Sequence, residues 1–118
     1  MEIKLNKNGV NNKIKVNILS DDKMKDIGFS ENREGFWYYC KSLGSEITFN
    51  LIINKADILD FQIDILDEDY MQPYDYQEML ELAPKDKFTN NIKYKVENIM
   101  EYLKDNKIII GHIRGEYI

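Results

Sequence analysis

The sequence predicts an α+β fold. An antiparallel sheet of about five strands occupies residues 2–66, and two helices, at about 74–82 and 90–105, pack on one of its faces. Three observations carry this. Apolar and polar residues alternate through most of the first 66 positions, the two-residue period of half-buried strands. Ile92, Val96, Ile99, Met100 and Leu103 then recur at the spacing of one helical face. The last three strand-like runs also follow one another too closely for helical crossovers, so their pairing should be antiparallel.

Ile3 and Leu5 alternate with Glu2, Lys4 and Asn6, and Asn8-Gly9 follows. Both residues of that pair tolerate positive φ, which makes it a hairpin turn signal. Residues 13–19 place Ile14, Val16 and Ile18 on one face and Lys13, Lys15 and Asn17 on the other, so the first two strands are expected to pair as a hairpin. Residues 20–34 are polar and read as a long loop, with room for one helical turn around 22–27. Phe36 to Cys40 is aromatic and a good strand former. Phe36, Tyr38 and Cys40 oppose Trp37, Tyr39 and Lys41. After a turn at residues 42–45, Ile47, Phe49, Leu51 and Ile53 mark one face of the next strand. Leu59, Phe61, Ile63 and Ile65 mark one face of the strand after that.

Pro73 is placed to open the first helix, because a first-turn proline loses no hydrogen bond. Tyr76, Met79, Leu80 and Ala83 form its apolar stripe, and Pro84 ends it. Thr89 or Asn90 can cap the second helix, which should stop near Asn106. Residues 108–110, all isoleucine, read as a short buried segment or edge strand.

A chain of 118 residues suits one domain spanning 1–118, and no repeat or Pro/Gly/Ser-rich linker divides it. It is long enough to fold without a staple. Cys40 is the only cysteine, so no intrachain disulfide can form, which favours a reducing, cytoplasmic setting. The first residues lack the apolar run of a signal peptide, and no aliphatic stretch exceeds three residues. Abundant isoleucine, lysine and asparagine suit an AT-rich bacterial or phage genome.

Charge is sorted along the chain. Residues 1–55 carry a net +2, residues 56–86 a net −9 and residues 87–118 a net +2, giving the total of −5. A nucleic-acid binder clusters the opposite sign, so direct phosphate-backbone binding is not expected.

The acidic block is the first candidate site. Asp60, Asp64, Asp67, Glu68 and Asp69, with Tyr70 and Tyr74, would form an acidic, tyrosine-rich face for a basic protein partner. The bland reading is a solvated face that maintains solubility. Tyrosine suits a contact because it buries much area at small entropic cost. Asp64, Asp67 and Asp69 lack the turn glycine and closing glutamate of a calcium loop, so no metal is expected. Asp60 and Asp64 have the spacing of a carboxylate pair, but a chain with 21 acidic residues offers many such pairs.

A second set suits a nucleotide-like ligand: Trp37, Tyr70 or Tyr74 would stack on a ring, and Arg33 or Arg114 would meet phosphates. Cys40 has no nearby arrangement that would lower its pKa, as a reactive thiol requires, and reads as a buried structural residue. His112 is the only histidine, in a glycine-flanked tail with no strand–helix context for a phosphate loop. No catalytic or cofactor motif is present, and no cofactor is expected.

The expected function is therefore a non-catalytic binding protein. It would be a small bacterial or phage-type inhibitor or accessory protein that docks a basic protein. The alternative is a small-molecule, nucleotide-like ligand-binding protein, and a carboxylate enzyme ranks third. Open strand edges and residues 108–110 would also allow a homodimer by strand pairing.

Overall fold

The alternating segments become an antiparallel meander. A computed structural model describes residues 14–111. Along the chain it runs β1 (Lys15–Val16), α1 (Asp21–Ile27), β2 (Ser30–Glu31), β3 (Phe36–Gly44), β4 (Ile47–Asn54), β5 (Asp57–Asp67), β6 (Gln72–Pro73), α2 (Tyr76–Leu82), α3 (Lys87–Asp105) and β7 (Ile109–Ile110). The main sheet has the order β2-β3-β4-β5-β6, every pair antiparallel. The strands-then-helices order thus yields the α+β architecture expected, with a five-stranded sheet.

Register decides the two faces. Trp37, Ile53 and Phe61 lie in one row across β3, β4 and β5; Tyr39, Leu51 and Ile63 form the next, and Lys41, Phe49 and Ile65 the one after. Except for Lys41 and the half-buried Phe61, these side chains are buried. They meet the apolar stripe of α3, where Ile92, Val96, Met100 and Leu103 are inaccessible to water. Lys41 escapes at the rim, its ammonium 5.8 Å from the centre of the Tyr39 ring. The β3–β4 turn needs three successive positive φ values, at Gly44, Ser45 and Glu46, and a bulge between Ser42 and Gly44 leads into it. The β4–β5 turn is held by Asn54, whose Oδ1 accepts from the Ala56 amide at 2.9 Å.

Several local expectations are revised. The hairpin at Asn8-Gly9 lies outside the described residues. β1 pairs with β7 at the far end of the chain, because Val16 and Ile109 are both buried and face each other. The expected loop of residues 20–34 holds a full helix and a strand. Ser20 caps α1 by accepting from the Lys23 amide, and Met24 and Ile27 give it a buried side. Gly28 ends α1 at φ 125°, and a Cβ there would stand 3.1 Å from Tyr39 Cε1. Both the backbone and the close ring favour glycine.

Pro73 does not open a helix. It pairs with Leu66 on the edge strand β6, where a missing N–H costs no ladder bond. Asp75 caps α2 instead, accepting from the Glu78 amide at 3.0 Å. Of the expected stripe, Tyr76 and Leu80 are buried, whereas Met79 and Ala83, the latter just past α2, are exposed, so the stripe is narrower than expected. α3 starts earlier than expected. Its cap is Asp86, which accepts from both the amide and the hydroxyl of Thr89. Thr89 Oγ1, its proton committed to Asp86, accepts from Tyr74 OH at 2.9 Å. Asn106 ends α3 where the spacing placed its end.

Two outcomes test this packing. Phe49→Ala should lower unfolding stability by about 3–5 kcal/mol, as a buried ring lost from a sheet centre does. Leu82→Ala, on an exposed position, should stay within about 0.5 kcal/mol. Urea titration reads both. The hydroxyl of Thr89 first, and its amide second, hold the Asp86 carboxyl below the usual carboxylate range. A depressed carboxyl stabilises the fold above its unfolded value of about 3.9, and that contribution is lost as pH falls through the folded value. The Tm deficit of Asp86→Ala should therefore be present at pH 7 and shrink in acid.

Candidate functional site

The acidic block, continuous in sequence, is divided in space. β5 is eleven residues long, so Asp60 and Asp67 stand roughly 23 Å apart along it. Asp57 and Asp60 belong to the end beside the β4–β5 turn, where Asp60 accepts from Asn54 Nδ2 at 3.0 Å. Asp67, Glu68 and Asp69 belong to the opposite end, beside the β3–β4 turn.

Asp64, between the two groups, is only 6% exposed. It sits opposite Asn50 on β4, itself 2% exposed, and accepts from Gln62 Nε2 at 3.0 Å. It belongs to the sheet rather than to a contact surface, which corrects the expectation for this residue. Around it the sheet face opposite α3 carries a directed hydrogen-bond chain. Tyr38 OH donates to Asn50 Oδ1 at 2.7 Å, Asn50 Nδ2 to Thr48 Oγ1 at 2.9 Å, and Thr48 Oγ1 to Glu68 Oε1 at 3.0 Å. Burial, then the nearby Cys40, Glu68 and Asp64, pushes the Tyr38 phenol upward, which keeps it a donor.

The β5–β6 turn is the exposed end of this chain. Asp67 Oδ1 accepts from the amides of Asp69 at 3.1 Å and Tyr70 at 3.3 Å, an Asx-type closure that orders the turn from within. The Glu68 amide donates to the Glu46 carbonyl at 2.8 Å and ties the turn to its neighbour. Met71 adopts φ 53°, sparsely populated for a side chain of this size. The result displays Tyr70 at 72% exposure and Met71 at 83%, next to Asp67, Glu68 and Asp69. A depression of about 170 Å³ lies beneath them, bordered by Leu66, Met71 and Pro73.

Tyr74 does not join that surface. It is half-buried, its amide bonded to the Ile65 carbonyl and its ring edge-on to Phe88 with centres 6.1 Å apart. The residues of the nucleotide-type set are not brought together either. Trp37 is 1% exposed, and Lys55 covers its ring at 4.5 Å from the centre. Lys55 also pairs with Glu31, as does Lys25 at 3.3 Å; these lysines, Lys55 foremost, hold the Glu31 carboxyl below its ordinary value. Arg33 is exposed in the β2–β3 turn, at the opposite end of the sheet from Tyr70. His112 and Arg114 lie outside the described residues. Among the described residues, no three His, Cys, Asp or Glu side chains are grouped to hold a metal ion. No helix among them is long and apolar enough to cross a membrane.

Cys40 is exposed, not buried as expected: it falls on the face of β3 opposite Trp37 and Tyr39. Its thiol is nevertheless pushed up, by partial burial first and by Glu68 second. A feature without a sequence signal is a groove of about 510 Å³ between β3 and α3. Tyr39 and Lys41 supply one wall, and Lys95, Asn98, Ile99 and Tyr102 the other. Those last four share one helical side, but the lysines of the two walls are 54 positions apart in sequence.

No family model and no curated protein matches the chain. Among solved structures it is similar to a DUF1831 family protein from Lactobacillus plantarum. The TM-score is 0.63 at 12% sequence identity, over 81% of this chain and 82% of that one. At that identity the likeness shows the fold alone, an α+β chain of similar size.

A thiolate is the attacking form of cysteine, so an accessible thiol of raised pKa reacts slowly. Cys40 should be alkylated by iodoacetamide without unfolding, yet more slowly in the folded chain than in the urea-unfolded chain at the same pH. Mass spectrometry of timed aliquots reads both rates.

Proposed function

We propose that this chain is a non-catalytic binding protein that docks a basic protein partner through its β5–β6 turn. The observation that carries the reading is the juxtaposition of exposed Tyr70 and Met71 with Asp67, Glu68 and Asp69 on an internally hydrogen-bonded turn. Ordering before contact lowers the entropic cost of binding. Tyrosine and methionine are enriched in interface cores, and the carboxylates around them steer a positively charged partner. The footprint is smaller than the sequence suggests, because Asp64 and Tyr74 turn inward and Asp60 lies at the other end of β5.

The size and acidity fit an inhibitor or accessory protein of bacterial or phage type, acting in the cytoplasm where a lone thiol persists. The nucleotide-type alternative loses support, since Trp37 is buried and Arg33 and Tyr70 occupy opposite ends of the sheet.

The test compares the natural chain with Asp67→Lys/Glu68→Lys/Asp69→Lys and with Tyr70→Ala/Met71→Ala, each immobilised and exposed to host extract at low and high salt. The expected result is a retained protein rich in lysine and arginine, released by salt and lost with both variants. Retention of every bound protein by the charge-reversed variant would overturn the reading.

A further inference from the structure

The groove between β3 and α3 combines three features that nothing in the acidic turn requires. First, among the described residues no strand pairs with β3 beyond Tyr38 on the side of β2, although Gly28 and Phe29 pass close to Tyr39 there. β2 pairs with β3 only through Ser30 with Tyr38 and Glu31 with Trp37. The Asn32 amide donates to the Phe36 carbonyl, so the peptide groups of Phe36 and, by alternation, of Cys40 and Ser42 point away from β4.

Second, two α3 side chains that line the groove beneath this edge are held by hydrogen bonds. Tyr102 OH donates to the Ile27 carbonyl at 2.9 Å, and Lys95 Nζ donates to the Leu43 carbonyl at 3.0 Å. Third, its charge is positive. Lys41 and Lys95 reach it from opposite walls, and Tyr39, Ile99 and Tyr102 give those walls their apolar surface. Lys95 spends one donor on Leu43 and has two more to offer.

We propose that this groove binds an extended acidic peptide segment of a partner protein by strand addition to β3. The segment's backbone pairs with the peptide groups of Cys40 and Ser42. Alternate side chains then drop toward α3, where a carboxylate meets Lys41 and Lys95. Charge selects this occupant. A second copy of β3 on the same edge would bring the lysines of two chains together, and like charges across a strand pair oppose pairing. The site is distinct from the acidic turn and takes a partner of the opposite sign.

The probe is an eight-residue peptide of alternating glutamate and threonine, acetylated, amidated and carrying fluorescein. Its lysine–threonine counterpart is the control. Fluorescence anisotropy against the full chain should show binding of the glutamate peptide and none of the control. Lys41→Gln and Lys95→Gln should each weaken binding by about tenfold, the loss of one charge-assisted hydrogen bond. Lys41 is exposed at the rim, its one described contact being with the Tyr39 ring, so its variant stays informative if replacing Lys95 harms folding. Bound peptide should also slow amide hydrogen exchange at Cys40 and Ser42. Equal binding of the two peptides overturns the proposal, as does binding indifferent to Lys41→Gln. Unchanged exchange at Cys40 and Ser42 overturns it too, and so does displacement of the peptide by glutarate or a single-stranded oligonucleotide at its own concentration.

Discussion

β4 is paired along its length with β3 on one side and β5 on the other, and its inner side chains Phe49, Leu51 and Ile53 are closed to water. A slip of one residue in either pairing would turn those three side chains outward and bring Asn50 and Asn54 into the core. Burial therefore sets the register, and the register sets the polar face. The Tyr38, Asn50 and Asp64 neighbourhood exists because Tyr39, Leu51 and Ile63 must lie on the other side. A polar group held at 2% exposure is tolerable when hydrogen-bonded, and Asn50 uses both its amide nitrogen and its oxygen.

The same register distributes charge. Ten carboxylates fall within residues 56–86, but β5 separates two groups of them by its length and draws Asp64 into the sheet between. What reaches solvent at the β5–β6 turn is a short acidic run beside two large exposed side chains. At the opposite edge, beyond the reach of β2, the lysines of β3 and α3 gather in a groove with apolar walls. A chain with a net charge of −5 thus presents both an acidic and a basic surface, and total charge describes neither.

Much of the architecture was legible because periodicity is a local property. The alternation of Ile47, Phe49, Leu51 and Ile53 identified β4 and its buried side. The spacing of Ile92, Val96, Ile99, Met100 and Leu103 identified α3, with Ile99 only half-buried, and the crowding of the strand runs implied antiparallel pairing. Where evidence was a single residue, the prediction failed. Pro73 suits a helix start and an edge strand equally, and only its pairing with Leu66 chooses. Asp86, Thr89 and Asn90 are all capping types, and the hydrogen bonds to Asp86 select among them. Cys40 reads as a buried structural residue because nothing near it in sequence would activate a thiol, yet strand parity places it outward.

Sequence alone established the meander followed by helices, the identity of the inner face of β4 and α3, and the acidic excess of residues 56–86. Each follows from order and spacing along the chain. The tertiary structure decided which of those carboxylates stand together, that Trp37 and Tyr74 turn inward, and that Lys41 and Lys95 share a groove. These depend on strand length, register and the packing of α3 under β3, which couple residues far apart in sequence and leave no mark in any local window.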